Sequence, residues 1–227
     1  MRNISKMLKR ALNFWQSKIK ENDFVIYGSD FPDEYVRKIL QREGLAFPVK
    51  KGLYLLKNKG NEAEDVIYRL YWPTVEKLLK VYEPWSIEKA SALALYLGDE
   101  SIPQKLFVRT ERKVKYCLSL PSGLKVLIRP DPAFHEKTRQ RIEIGKAKIY
   151  LDVPEKILFS IKKRMGIAFI AFIKSIKFDR RMLEVLYSAN PKPIVAKELI
   201  EAASRYGRVD LSSVLKDLLR KYTIYRF

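Results

Sequence analysis

The chain opens on a helical beat of apolar residues. Ile4, Met7, Leu8, Ala11, Leu12, Trp15 and Ile19 recur at helical spacing, with Lys6, Lys9, Arg10 and Lys18 on the other face. This pattern predicts an amphipathic helix. A short β-prone run, Phe24-Val25-Ile26-Tyr27, stops at Gly28-Ser29-Asp30. Ser29 or Asp30 can cap a second helix, and Pro32 suits its first turn. That helix is expected to run from Glu34 to about Arg42. Its Tyr35, Val36, Ile39 and Leu40 are expected to point inward, and Arg37, Lys38, Gln41 and Arg42 outward. Gly44 ends it. Two apolar runs, 45–49 and 53–56, flank Lys50-Lys51-Gly52 and read as a hairpin whose Gly52 supplies a positive φ.

A polar linker, 57–63, follows. Helices are then predicted over 65–82 and 86–97. Pro73 kinks or splits the first, Pro84 separates the two, and Ser86 caps the second. From Pro103 the pattern turns to β, with strands expected at 105–110, 113–120, 124–129, 142–144 and 148–151. Helices return over 155–165, 168–176, 180–188, 195–206 and 211–222. The predicted class is α+β: an N-terminal winged helix-turn-helix over 1–60, a mixed α/β middle over 61–153 (a helical pair plus an antiparallel β region), and a helical C-terminus over 154–227.

Composition sharpens this picture through its charge. The 227 residues carry a formal +19, against 47% hydrophobic residues that suffice for a real core. Such self-repulsion is easier to tolerate in a protein whose partner is a polyanion. The bland alternative is a uniformly basic coat. The charge is uneven, however: net +7 over residues 1–60, −4 over 61–100, and +8 in each of 101–150 and 151–227. Blocks of this kind favour dedicated binding faces. With one Cys and one His, a Cys/His zinc site and an internal disulfide are excluded. The N-terminus MRNISKMLKR lacks a signal-peptide apolar segment, and the run 167–173 is far too short for a membrane span. A cytoplasmic protein is expected, with no cofactor and no membrane partner.

A basic helix followed by a basic-tipped hairpin is the order of a winged helix-turn-helix. The helix would offer Arg37, Lys38, Gln41 and Arg42 to base edges, and the hairpin would offer Lys50 and Lys51 to phosphates. Such a domain normally has three helices before its wing. Only two are visible here, with FVIYGSDF where the middle one belongs.

Several segments, in order, resemble the AbiEi-type antitoxins of type IV toxin–antitoxin systems. Gly44-Leu45 through Lys51-Gly52-Leu53-Tyr54 looks like the end of that family's winged helix. Ser86-Ile87-Glu88-Lys89-Ala90-Ser91-Ala92-Leu93, running to Leu97-Gly98, resembles its Ser-Ala-Leu helix, although Ser91, Ala92 and Ala94 also suit plain close packing. Pro103 with 105–110 resembles its next strand, and 149–158 resembles its strand, Pro-Glu-Lys, helix step. The closing helices resemble its C-terminal region. The resemblance implies a protein that binds its own promoter in double-stranded DNA as a transcriptional autorepressor. It also implies a cognate nucleotidyltransferase-like toxin that it opposes, without requiring a stable complex. The alternatives are a stand-alone winged-helix regulator without a toxin, and an RNA-binding or nuclease accessory protein.

The motifs of common catalytic classes are missing. No phosphate-cradling glycine loop and no nucleophile elbow occurs. Glu143 and Glu155-Lys156 fail nuclease spacing, the latter having only Asp152 close upstream. His135, in DPAFHEKTR, reads as a surface-loop residue, and Cys117 as a buried small hydrophobe. Asp30, Asp33 and Glu34 read as a helix N-terminus rather than a metal site. The expectation is therefore a protein that is not an enzyme and holds no metal. Two further basic regions stand out. Lys105, Arg109, Arg112, Lys125 and Arg129, with Phe107 and Tyr116 between them, could hold single strands by stacking. The closing helices, with Arg205, Arg208, Lys216 and Arg220, read as a packing unit first and a second helix-turn-helix next.

Overall fold

The computed structural model describes residues 2–50, 52–132, 134–160 and 166–223. It is a mixed α+β protein with a helical C-terminal end. The N-terminal unit begins with α1 (Arg2–Lys20) and β1 (Val25–Tyr27), followed by a one-turn 3-10 helix at Gly28–Asp30. Then come α2 (Glu34–Arg42), β2 (Ala46–Lys50) and β3 (Leu53–Leu56). The Asp33 carboxylate accepts from the Val36 amide at 2.8 Å and fixes the start of α2. Its end is a Schellman motif: Leu45 N–H donates to Leu40 O at 2.8 Å and Gly44 N–H to Gln41 O at 3.1 Å, with Gly44 at φ 68°. Val36 and Leu40 are buried as expected, but Tyr35 is 68% exposed. The inward stripe is narrower than its residue types suggest, because only one side of α2 meets α1 and the sheet.

The three strands lie in the order β1-β3-β2. Pro48 sits on the edge strand β2, where its missing N–H costs no ladder bond. The central strand β3 is buried at all four residues. Tyr54 and Leu56 join Ala11, Ile26, Phe31, Val36 and Leu40 in a small core. Leu53 and Leu55 join the main core, with Val75 and Leu79. The sheet therefore packs on both faces.

The main core is built on a six-stranded sheet. Before it come α3 (Ala63–Arg69) and α4 (Tyr71–Leu79), and the break between them falls at Leu70 rather than Pro73. Pro73 lies in the first turn of α4, a position where its missing N–H is tolerated. Next are β4 (Trp85–Ile87), α5 (Lys89–Tyr96), β5 (Lys105–Thr110), β6 (Tyr116–Ser119) and β7 (Lys125–Pro130). The last two strands are β8 (Arg139–Ile144) and β9 (Ala147–Asp152). Ser86 is thus a strand residue and not a helix cap, because β4 pairs with β5 and β9 on either side. The sheet order is β6-β7-β5-β4-β9-β8. It is mixed rather than antiparallel, since β7 enters parallel to β5 and β4 lies parallel to β9. Leu106, Val108, Val126 and Ile128 face the core. Cys117 pairs with Leu127, which pairs with Phe107, and this row lies on the opposite face. Cys117 is consequently exposed and not a core residue.

The C-terminal helices are α6 (Pro154–Ser160), α7 (Ile167–Ser175), α8 (Arg180–Ala189), α9 (Pro193–Arg205) and α10 (Val209–Thr223). The predicted helix over 155–165 is seen as α6 as far as Ser160; its last residues, like Ile224 and Tyr225, lie outside the described ones. Leu183, Leu199, Leu211 and Leu215 carry the main core into this end. Arg208 does not face outward as a free cation. It donates to Ile173 O at 2.6 Å and pairs with Asp210 at 2.8 Å, tying the α9–α10 turn to α7.

Candidate functional site

Charge concentrates in two places. The first is the outer face of α2 beside the hairpin. Lys38 and Arg42, one turn apart, have side chains 64% and 69% exposed, and Tyr35 shares their face. Glu34 lies 3.1 Å from Lys38 Nζ and 3.3 Å from Arg37 Nη2. The hydrogen bond from Lys38, then the Lys38 and Arg37 charges, hold the Glu34 carboxyl below its usual range. Exposed pairs of this kind are screened by solvent and open easily. Arg37 is held differently. Its guanidinium lies 5.7 Å from the Tyr54 ring centre, and its Nε is buried without a hydrogen-bond partner. Gln41 is half-buried. Lys50 is exposed, yet its Nζ lies 3.3 Å from the Tyr82 hydroxyl and 5.8 and 5.9 Å from the Tyr82 and Tyr116 ring centres. Lys51 lies outside the described residues. Of the acids considered for a metal, Asp33 caps α2 and Asp30 accepts from the Tyr27 amide at 2.7 Å.

The second place is an ionic network across the large sheet. Arg109 on β5 donates from Nε to Glu88, which follows β4, and from Nη1 to Asp131, which follows β7, at 3.2 Å. Lys156 on α6 reaches the same Asp131 oxygen at 2.8 Å, and Asp152 at 3.6 Å. Ser86 Oγ donates to Asp152 Oδ1 at 2.6 Å. Asp152 is fully buried, and that burial raises its carboxyl above the usual range against the pull of Lys156 and Arg109. At Asp131 burial pushes the same way, but the Lys156 hydrogen bond and charge, with Arg109, win and lower it. Arg109 likewise loses charge stability by burial and regains more from Asp152, Glu88 and Asp131.

A cleft of about 750 Å³ opens onto this network. Arg109, Asp131 and Lys156 form its charged side, while Phe159, Met182, Val185 and Leu186 form an apolar wall. His135 lines it too, so the loop histidine sits at a cavity mouth. Its Nδ1 accepts from the Lys137 amide at 3.1 Å, which places the ring proton on Nε2. Sequence reasoning read Arg109 only as one of many basic residues and missed its partners. The available signal was acidic residues directly ending apolar strands: Ile87-Glu88, Pro130-Asp131 and Leu151-Asp152. Of the basic sheet residues, Arg139 pairs with Glu136 and stacks on Tyr150, and Arg141 pairs with Glu143. Phe107 lies between Lys89 and Arg129, at 5.6 and 5.8 Å from its ring centre. Among the described residues no group of His, Cys, Asp and Glu is arranged to hold a metal, and no helix is long and apolar enough to cross a membrane.

No family model matches the chain, and no curated protein does. Among solved structures it is similar to the RV2827C protein from Mycobacterium tuberculosis, at 13% identity and a TM-score of 0.61, over 91% of this chain and 79% of that one. It is also similar to an antigenic nucleotidyltransferase-like protein from Paracoccidioides brasiliensis, at 16% identity and a TM-score of 0.43, over 66% of this chain and 92% of that one. At 13% identity the first likeness is one of fold. The expectation that the chain is not an enzyme is withdrawn, since it rested on missing motifs alone. The missing motifs excluded only the mechanisms those motifs serve. They are blind to an ionic network assembled from residues 88, 109, 131, 152 and 156, of which 109, 131 and 156 line the cleft.

Proposed function

We propose that the chain binds double-stranded DNA through its N-terminal unit, as an antitoxin of the AbiEi type. It represses its own promoter and counteracts a nucleotidyltransferase-like toxin. The observation that carries the DNA reading is the outer face of α2, where Tyr35, Lys38 and Arg42 stand exposed just before a hairpin. The order of elements supports a winged helix: helix, strand, one-turn helix, helix, hairpin, with β3 between β1 and β2. The one-turn helix Gly28–Asp30 stands where a middle helix belongs. In this reading α2 enters the major groove, Lys38 and Arg42 meet base edges, and Lys50 and Lys51 on the hairpin meet phosphates. The Arg37 guanidinium, stacked on Tyr54, positions the helix more than it reads.

The test is binding of the purified chain to its own upstream DNA and to a scrambled duplex across a salt series. Preference for its own DNA that survives near-physiological salt supports the reading. Equal binding that collapses with salt reduces it to counterion release from a basic surface. Rescue of growth on co-expression with a neighbouring nucleotidyltransferase-like protein tests the antitoxin half separately.

A further inference from the structure

We infer that the cleft between α8 and the β7–β8 connection is a binding site for a nucleoside phosphate. Its size, about 750 Å³, lies within the ~300–1,000 Å³ of small-ligand sites. Its two sides have opposite chemistry. Phe159, Met182, Val185 and Leu186 present an apolar surface, and Val185 is 60% exposed although it faces a concavity. An apolar wall left open inside a cleft suits a flat ring laid against it. Asn190 also lines the cleft and offers an amide, which presents a donor and an acceptor together to a base edge.

The anionic end is set by cations. Arg109 and Lys156 are already neutralised by Glu88, Asp131 and Asp152. Lys137, Arg181 and Lys192, at the same cleft, have no acidic partner among the described residues. The one other acid there, Asp179, is engaged in capping α8 through the Arg181 amide at 2.8 Å. The Nε2–H of His135, which lines the same cleft, adds a donor. Cations without an acidic partner and an apolar wall, lining one cleft, fit a ligand that carries both phosphate and a base. The site is separate from the α2 face, so it stands or falls independently of the DNA reading.

The experiment is calorimetric titration of the full chain with ATP, GTP, CTP and UTP, with adenosine and inorganic triphosphate as probes of the two halves. Saturable binding of a nucleotide, tighter than either half-ligand, is expected. Val185→Glu should weaken it by about tenfold or more through charge and bulk at an exposed position. The double substitution Lys137→Ala/Lys192→Ala should do so through the phosphate end. Both variants should keep the wild-type melting temperature and DNA affinity. No saturable binding of any nucleotide overturns the proposal. So does triphosphate binding as tightly as nucleotide, or affinity indifferent to both variants. Binding of single-stranded oligonucleotides in preference to mononucleotides would make the cleft a strand channel and also overturns it.

Discussion

Lys50 Nζ donates to the Tyr82 hydroxyl at 3.3 Å, across from the N-terminal unit to the 3-10 turn that follows α4. The same ammonium lies near the faces of Tyr82 and Tyr116. A cation in such an exposed seat contributes about 0.5–1 kcal/mol. Lys50→Ala should lower stability by that amount in urea denaturation. In DNA binding it should weaken all sequences alike and flatten the salt slope by about one. A loss confined to the chain's own upstream DNA would remove Lys50 from the phosphate-contacting set.

Lys38 and Arg42 carry no structural duty beyond exposed pairs with Glu34 and Glu43. Replacing either by Ala should cost about 1–3 kcal/mol in binding to the specific site and relax discrimination there, while stability changes by less than about 1 kcal/mol. Arg37→Ala should invert this ratio, because it uncovers the Tyr54 ring. Fluorescence anisotropy alongside thermal melting separates the two outcomes.

Arg109 pairs with three carboxylates at once. Arg109→Met would leave Glu88 and Asp152 as buried acids with too little positive charge, and should destabilise by about 3–5 kcal/mol. Equilibrium unfolding measures this. A loss below about 1 kcal/mol would mean that water reaches the network far more freely than its burial implies.

Glu155 gives a pH signature. Burial raises its carboxyl above the usual range, with help from Asp179, although the Asp179 amide donates to it at 2.6 Å. The folded chain therefore holds this proton at pH values where the unfolded chain has released it. Its contribution to stability is full below the ordinary carboxylate range and is lost as pH rises through the raised value. Glu155→Gln keeps an acceptor for that amide and removes the buried charge. The variant should melt at or above wild type at neutral pH, and the difference should vanish as pH falls through the carboxylate range. A variant that melts lower at neutral pH would show that the charge itself is needed.

Cys117 lies on the open face of β6. In the native protein one thiol should react with a disulfide reagent as fast as in denaturant, to within the spread set by thiolate fraction. Protection by orders of magnitude would mean that this face is covered in solution.

The periodic elements were legible because they answer to local pattern alone. Strand 105–110 and the α8 helix stand where alternation and helical spacing put them. The misreadings fall where a distant partner decides. Ser86 looks like a cap in sequence, but strands from residues 105–110 and 147–152 claim it for the sheet. Cys117 alternates correctly, yet the apolar face is the other one, and nothing local says which face is covered. The α2 cations were readable as a set because one helix carries them. The ionic network was not, because its members come from five separate stretches and meet only when β4, β5, β7, β9 and α6 assemble.

The double burial of β3 bears on how such a chain can be taken apart. A free-standing DNA reader can be moved between proteins because its boundary is solvated. Here the central strand of the N-terminal unit is shared property: Tyr54 and Leu56 belong to one hydrophobic cluster and Leu53 and Leu55 to the other. Cutting within residues 57–62 would strip α4 from the second cluster and expose Val25, Val49, Leu53 and Leu55 together, a sticky surface rather than a domain edge. A graft or an evolutionary exchange would have to carry α3 and α4 along. If α2 meets a duplex as proposed, its angle is set by the packing of β3 on the large core and not left to a hinge.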